Sequence, residues 1–230
     1  MMDSACKKQL LSFFDGKYEK SLEDDILNDS FLKQKVDVFK YIEKINNIPI
    51  CSFVEYIQTY CKRQPIMAAD VFQFSDFDDA TINICESLNR INNPGVKFKD
   101  VAKLLLTDNV IRNDVALSKY GENHIKTAES IGLAFKDDSK NYYLSAIGCV
   151  FNDLSEEAQK KLLLRLIIRN KLITQLFVAA MQGSFDLEAF LYDLSKSTYL
   201  RRRTNINRII ELLNDTNEYD FSKLTKNIVY

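Results

Sequence analysis

Lys196, Arg201, Arg202, Arg203 and Arg208 fall within residues 195–210, a stretch with no acidic side chain. A guanidinium presents a planar fork of donors that matches phosphate oxygens, and a helix N-terminus adds unpaired backbone N–H groups, so this spacing suits a phosphate backbone. At about 100° per residue, Ile206, Ile209, Ile210 and Leu213 share one helical face, and Arg201, Thr204 and Arg208 point away from it. Arg202 and Arg203 lie nearer the core edge, where they reach phosphates or pair with carboxylates. Asn205 is lateral, and an asparagine amide can pair bidentately with adenine. The alternative is a solvated basic helix held by the acidic segment at residues 19–29, where Glu23, Asp24 and Asp25 stand in succession.

A second candidate helix precedes a hairpin within residues 117–148. Ile125, Ala128 and Ile131 fall on one face, and Gly132 supplies a C-terminal stop. Phe135 and the Tyr142/Leu144 pair flank a polar tip at residues 136–141. The same helical wheel turns Lys119, Asn123, Lys126 and Ser130 outward, with Thr127 lateral, and makes Lys119, Asn123, Lys126 and Thr127 further candidate contacts to DNA. Glu122 and Glu129 weaken the positive field here, so base reading is expected mainly from the Arg201–Arg203 helix, and this one serves as a protein-binding or structural copy. His124, the only histidine, falls on the Ile125/Ala128 side, which predicts a partly buried, hydrogen-bonded ring before a catalytic or metal-binding one.

Enzymatic chemistry has little to build on. The sequence lacks a Gly-x-x-x-x-Gly-Lys-[Ser/Thr] phosphate cradle and a Gly-x-Ser-x-Gly elbow, and one histidine cannot supply a histidine-rich metal site. Asp37, Glu43 and Lys44 lie close together, but on an amphipathic helix without the strand that a metal-dependent nuclease uses. Asp76, Asp78 and Asp79 read as carboxylates at a helix N-terminus before they read as a cation site. Cys6, Cys51, Cys61, Cys85 and Cys149 are odd in number and contain no Cys-x-x-Cys pair, so reduced thiols are expected, with no disulfide framework, metal or cofactor.

The elements that position these residues are mostly helices. Six glycines and three prolines in 230 residues leave few breakers, and 46% hydrophobic with 27% charged residues is the balance of a folded globular chain. A formal net charge of −1 argues against polyanion binding over the whole surface, so a nucleic-acid site must be local. No apolar run of about eighteen residues is present to cross a bilayer, and the start lacks the apolar core of a signal peptide. No membrane association and a cytoplasmic location are therefore expected.

Read along the chain, helices are expected at residues 4–14, 29–45, 50–63, 82–91 and 97–106. Residues 65–79 read as an irregular connection and residues 107–114 as a polar linker into the helix before the hairpin. Ser155 is placed to cap a helix starting near Glu156, and the apolar runs 162–168 and 172–181 imply long helices of core or dimer-interface type. A helix at 186–194, a turn at 195–198 ending in Thr198 as N-cap, and a helix at 199–213 make a helix–turn–helix. The resulting fold class is mainly α with small β-hairpin wings. It comprises an N-terminal helical region at 1–78, one unit at 79–152, and a second version of the plan at 153–230 that ends in a wing around 218–221.

Residues 123–133 (NHIKTAESIGL) followed by 143–148 (YLSAIG) resemble the helix-plus-wing signature of bacterial and archaeal winged-helix DNA-binding modules. Residues 199–213 (YLRRRTNINRIIELL) are similar to the arginine-rich helix of DNA-binding modules attached to some restriction-type enzymes and ATPases. Such helices often carry a tryptophan, and this chain has none. The resemblance implies a sequence-selective protein of double-stranded DNA, a regulator or specificity subunit of a restriction, defence or mobile-element system, without catalytic activity of its own. The alternatives are an interaction scaffold that uses the same domains to bind protein, as a homodimer or with another partner, and a nuclease subunit.

Overall fold

Scarce breakers and amphipathic spacing produce a chain that is mainly helical. The structure is a computed structural model that describes residues 2–71, 77–106, 113–192 and 194–230. In chain order its helices are α1 (Ser4–Phe14), α2 (Lys17–Lys20), α3 (Glu23–Leu27), α4 (Lys35–Asn46), α5 (Ile50–Tyr60), α6 (Ile84–Arg90), α7 (Phe98–Leu105), α8 (Asp114–Ile131), α9 (Ala146–Val150), α10 (Glu156–Arg169), α11 (Lys171–Gln182), α12 (Leu187–Phe190), α13 (Lys196–Asn214) and α14 (Ser222–Thr225). The strands are β1 (Ala134–Lys136), β2 (Tyr142–Leu144), β3 (Phe185–Asp186) and β4 (Ile228–Val229). Most of the linker expected at 107–114 lies outside the described residues, as do residues 72–76 of the connection expected at 65–79.

The chain packs into two compact units. One comprises Gly16–Lys44 and Gln73–Leu162, and contains the hairpin; the other comprises Met1–Asp15, Ile45–Phe72 and Leu163–Tyr230, and contains the arginine-rich helix. The expected stretch 79–152 thus shares a unit with residues 16–44, and most of 153–230 shares one with 1–15 and 45–72. Long-range packing joins segments that the sequence keeps apart.

In the hairpin unit, α6, α7 and α8 bury Ile84, Cys85, Leu88, Val101, Ala102, Ile125, Ala128 and Ile131. A Cβ at Gly121 would stand 1.8 Å from the carbonyl oxygen of Phe98, so only glycine lets α8 approach the start of α7 this closely. At its other end α8 stops at Gly132, which has a φ of 86° and continues the chain in the left-handed region. β1 and β2 then pair antiparallel with Ala134 opposite Leu144 and Phe135 opposite Tyr143. Val96 adds a further bridge, exchanging backbone hydrogen bonds with Tyr142 at 3.0 and 2.9 Å. Before α6, Asp79–Asn83 forms one wide π-type turn.

In the arginine unit, α11 buries Leu172, Ile173, Leu176 and Phe177 within the chain, so this run is core. Phe221 stacks on Phe177 with ring centroids 5.5 Å apart. The wing expected around 218–221 is not a wing. Among the described residues the pairing in this unit is between β3 and β4, parallel, with Phe185 opposite Ile228. Parallel neighbours need a crossover and cannot be joined by a tight turn; here α12, α13 and α14 form it.

Glu218 has another partner. Arg165, 1% exposed in the middle of an apolar run, donates from Nε to the Ile45 carbonyl at 3.0 Å, and from Nη2 to the carbonyls of Asn46 at 2.9 Å and Ile48 at 3.0 Å. Its Nη2 also meets the Glu218 carboxylate at 3.0 Å. A buried guanidinium is tolerated only when its donors and charge are satisfied in this way.

Candidate nucleic-acid interface

α13 begins three residues before the helix expected at 199–213, within the expected turn, and the helix expected at 186–194 is shorter than the reading had it. Ser195 is the N-cap, its hydroxyl accepting from the Thr198 backbone N–H at 3.4 Å, and α12 before it is a single turn ending at Phe190. The expectation of Thr198 as N-cap is corrected: serine three residues upstream captures the Thr198 amide, and the helix extends to include Lys196. Both residues are good caps, and nothing local ranks them.

Along α13, Tyr199, Ile206, Ile209, Ile210 and Leu213 are buried. Arg201, Thr204 and Arg208 are exposed, as the wheel predicts, and so is Lys196; Arg202, Arg203 and Asn205 are half-buried at the flanks. Arg201 Nη2 lies 3.4 Å from the Thr198 hydroxyl, and the Arg203 guanidinium lies 5.9 Å from the Tyr199 ring centre. Arg201 and Arg208 are seven residues apart, about 10 Å of helix axis at 1.5 Å per residue. That separation is comparable with the roughly 12 Å width of a major groove. Thr204 and Asn205 lie between them.

α8 holds its cations differently. Lys119 and Lys126 are both exposed, and both are taken by Glu122, at 2.9 and 2.7 Å. These pairs, that with Lys126 first, hold the Glu122 carboxyl below the ordinary glutamate range, while burial pushes Glu129 up. Asn123 is half-buried. Thr127, expected at the lateral edge and within reach of DNA, is fully buried, its hydroxyl donating to the Asn123 carbonyl at 2.8 Å. It is removed from the candidate interface, because the buried face of α8 is wider than the Ile125/Ala128/Ile131 stripe and includes Gly121 and His124.

His124 is a core residue, with Nδ1 2.8 Å from the Tyr120 carbonyl. A carbonyl only accepts, so Nδ1 carries the proton. Tyr120 in turn donates to Asp79 at 2.5 Å, which gives that carboxylate a structural task in the turn before α6. Lys97, which has no place among the residues singled out by spacing, donates from Nζ to the Ser139 carbonyl at 2.6 Å and tethers the hairpin tip. A lysine one residue ahead of a helix and far from the tip in sequence gives no signal of that interaction.

Among the described residues no group of three or more histidine, cysteine, aspartate or glutamate side chains converges on a cation position. Burial pushes the Cys149 thiol up to about 12 and Cys85 up as well, so both stay neutral thiols. No helix is long and apolar enough to cross a membrane among the described residues. Compared with family models, with curated proteins and with solved structures, the chain matches none.

Proposed function

We propose that this protein binds double-stranded DNA through α13. The observation that carries the reading is the exposed row Arg201, Thr204 and Arg208, with Lys196 at the helix start, on a stretch without carboxylates and backed by a buried apolar face. Laid across a major groove, the two arginines meet phosphates near its edges, Thr204 and Asn205 face the base edges, and Arg202 and Arg203 follow the backbone. Phosphate binding supplies affinity, and the Asn205 amide supplies preference at one base pair.

The hairpin unit takes the second role, that of a structural or protein-binding module. The order α6, Val96 bridge, α7, α8, β1, β2 supports a winged-helix plan for it. Its Glu122, engaged by both exposed lysines of α8, favours a protein surface over a phosphate one.

Duplex binding followed by fluorescence anisotropy across a salt series tests the assignment. Replacing Arg201 and Arg208 by Ala should weaken binding and flatten the salt dependence by about 0.9 in log–log slope for each phosphate that is no longer neutralised. Asn205→Ala should leave the slope alone and cost on the order of 1–3 kcal/mol of discrimination at one base position. If the double arginine variant binds duplex as the wild type does, but no longer captures a protein partner, the scaffold reading replaces this one.

A further inference from the structure

Beside the α12–α13 turn, the arginine unit has a cleft of about 280 Å³ lined by Arg63, Gln64, Ile66, Phe190 and Tyr192 among others. Its volume falls just below the roughly 300 Å³ at which clefts take drug-sized ligands, which is room for one planar ring system. Phe190 forms a buried floor held by Phe185, ring centroids 5.2 Å apart, and the Arg63 guanidinium lies 5.3 Å above the Phe190 ring. Tyr192, by contrast, is 71% exposed, a large aromatic ring left in solvent at the rim. The described residues that line the cleft include a cation and no carboxylate.

An exposed tyrosine and a guanidinium lining one cleft are the chemistry that stacks nucleobases and holds the adjoining phosphate. Within a duplex each base face is covered by its neighbours, so away from the ends such a ring can stack only on a base that has left the helix. Tyr192 stands three residues before Ser195, at most about 11 Å of chain from the α13 N-terminus. A strand whose phosphate meets that terminus is within a nucleotide or two of the cleft.

We propose that this cleft binds the first unpaired base of a strand leaving the duplex, with Tyr192 stacking on the base and Arg63 facing its phosphate. The proposal rests on the duplex-binding reading of α13 and adds a preference for duplex ends or junctions that carry a single-stranded overhang.

The chain has no tryptophan, so 2-aminopurine fluorescence reports a stacked base without protein background. A blunt duplex is compared with the same duplex carrying a short overhang whose first base is 2-aminopurine. Wild-type protein should quench the probe and bind the overhang substrate at least about fivefold tighter, the lower end of what one base–aromatic stack supplies. Tyr192→Ala should abolish both effects and leave blunt-duplex affinity unchanged, and Tyr192→Phe should keep both. Equal affinity for the two substrates, or an overhang advantage that survives Tyr192→Ala, overturns the proposal while the duplex reading stands. If blunt duplex is not bound at all, the duplex reading fails, and a free single-stranded 2-aminopurine oligonucleotide decides the cleft: quenching that disappears in Tyr192→Ala upholds it, and no quenching overturns it.

Discussion

α8 and α13 are near twins in length, 18 and 19 residues, and in how they begin, each with a polar side chain capping the first turn. Each buries one apolar face and turns cations outward. They differ in what stands between those cations. On α8, Glu122 sits three residues after Lys119 and four before Lys126, the spacings at which side chains meet on a helix, and it engages both. On α13 the one carboxylate, Glu211, comes after the last arginine, three residues beyond Arg208, and stands between none of the basic residues. That difference in spacing is why we read α13, and not α8, as the helix that meets phosphates.

Both helices are anchored, and disturbing the anchors should produce the largest effects. Ile209→Ala removes a fully buried side chain from α13 and should cost about 2–5 kcal/mol in chemical denaturation. Gly121→Ala forces a methyl group onto the Phe98 carbonyl. The strain, typically 1–3 kcal/mol, should outweigh the gain of up to about 1 kcal/mol in helix propensity, so that denaturation shows net destabilisation. A stable Gly121→Ala protein would mean that α8 rides loosely on α7, and the comparison of two fixed helices would fall. Ser195→Ala is milder, about 1 kcal/mol for the missing N-cap, and should weaken duplex binding because the N-terminus of α13 frays.

The smallest effects are the most specific. On α8 the two glutamates should respond to pH with opposite signs. Glu122 has a lowered folded-state pKa, so its stabilising contribution is complete above the ordinary glutamate value and is lost as pH falls through the lowered one. Glu122→Gln should cost on the order of 0.5 kcal/mol at neutral pH and nothing in strong acid. Glu129 has a raised value because of burial, so its charged form weakens the fold as pH rises through that value. Glu129→Gln should therefore stabilise the protein at neutral pH and lose that advantage as pH falls below the ordinary glutamate range. Thermal melts of both variants across pH check the signs, and two curves of the same sign would contradict the charge pairing described for α8.

Local chemistry made parts of this molecule legible. Gly132, the hydrophobic alternation around it and the polar tip were enough to place α8 and the hairpin, and a helical wheel separated Arg201, Thr204 and Arg208 from the buried isoleucines. What escaped depends on distant partners. Thr127 departs from its lateral place because the buried face of α8 is wider than the apolar stripe, and its hydroxyl finds a partner in the Asn123 carbonyl one turn back. Arg165 sits in an apolar run and looks misfit until the carbonyls of residues 45–48 and Glu218 close around it. The wing expected near residues 218–221 was an inference from symmetry with the first unit, and the β3–β4 pairing that replaces it joins segments some forty residues apart. Tyr192 and Arg63, more than a hundred residues apart, line one cleft only through the fold.

The central claim, that α13 touches DNA and α8 does not, is most directly tested by site-specific photocross-linking. A benzophenone side chain is placed at exposed Thr204 or at Asn123 on the outer side of α8, and each protein is irradiated with a radiolabelled duplex. A cross-link is expected from position 204, suppressed by rising salt, and none from position 123. A cross-link from position 123 with none from 204 would contradict the claim.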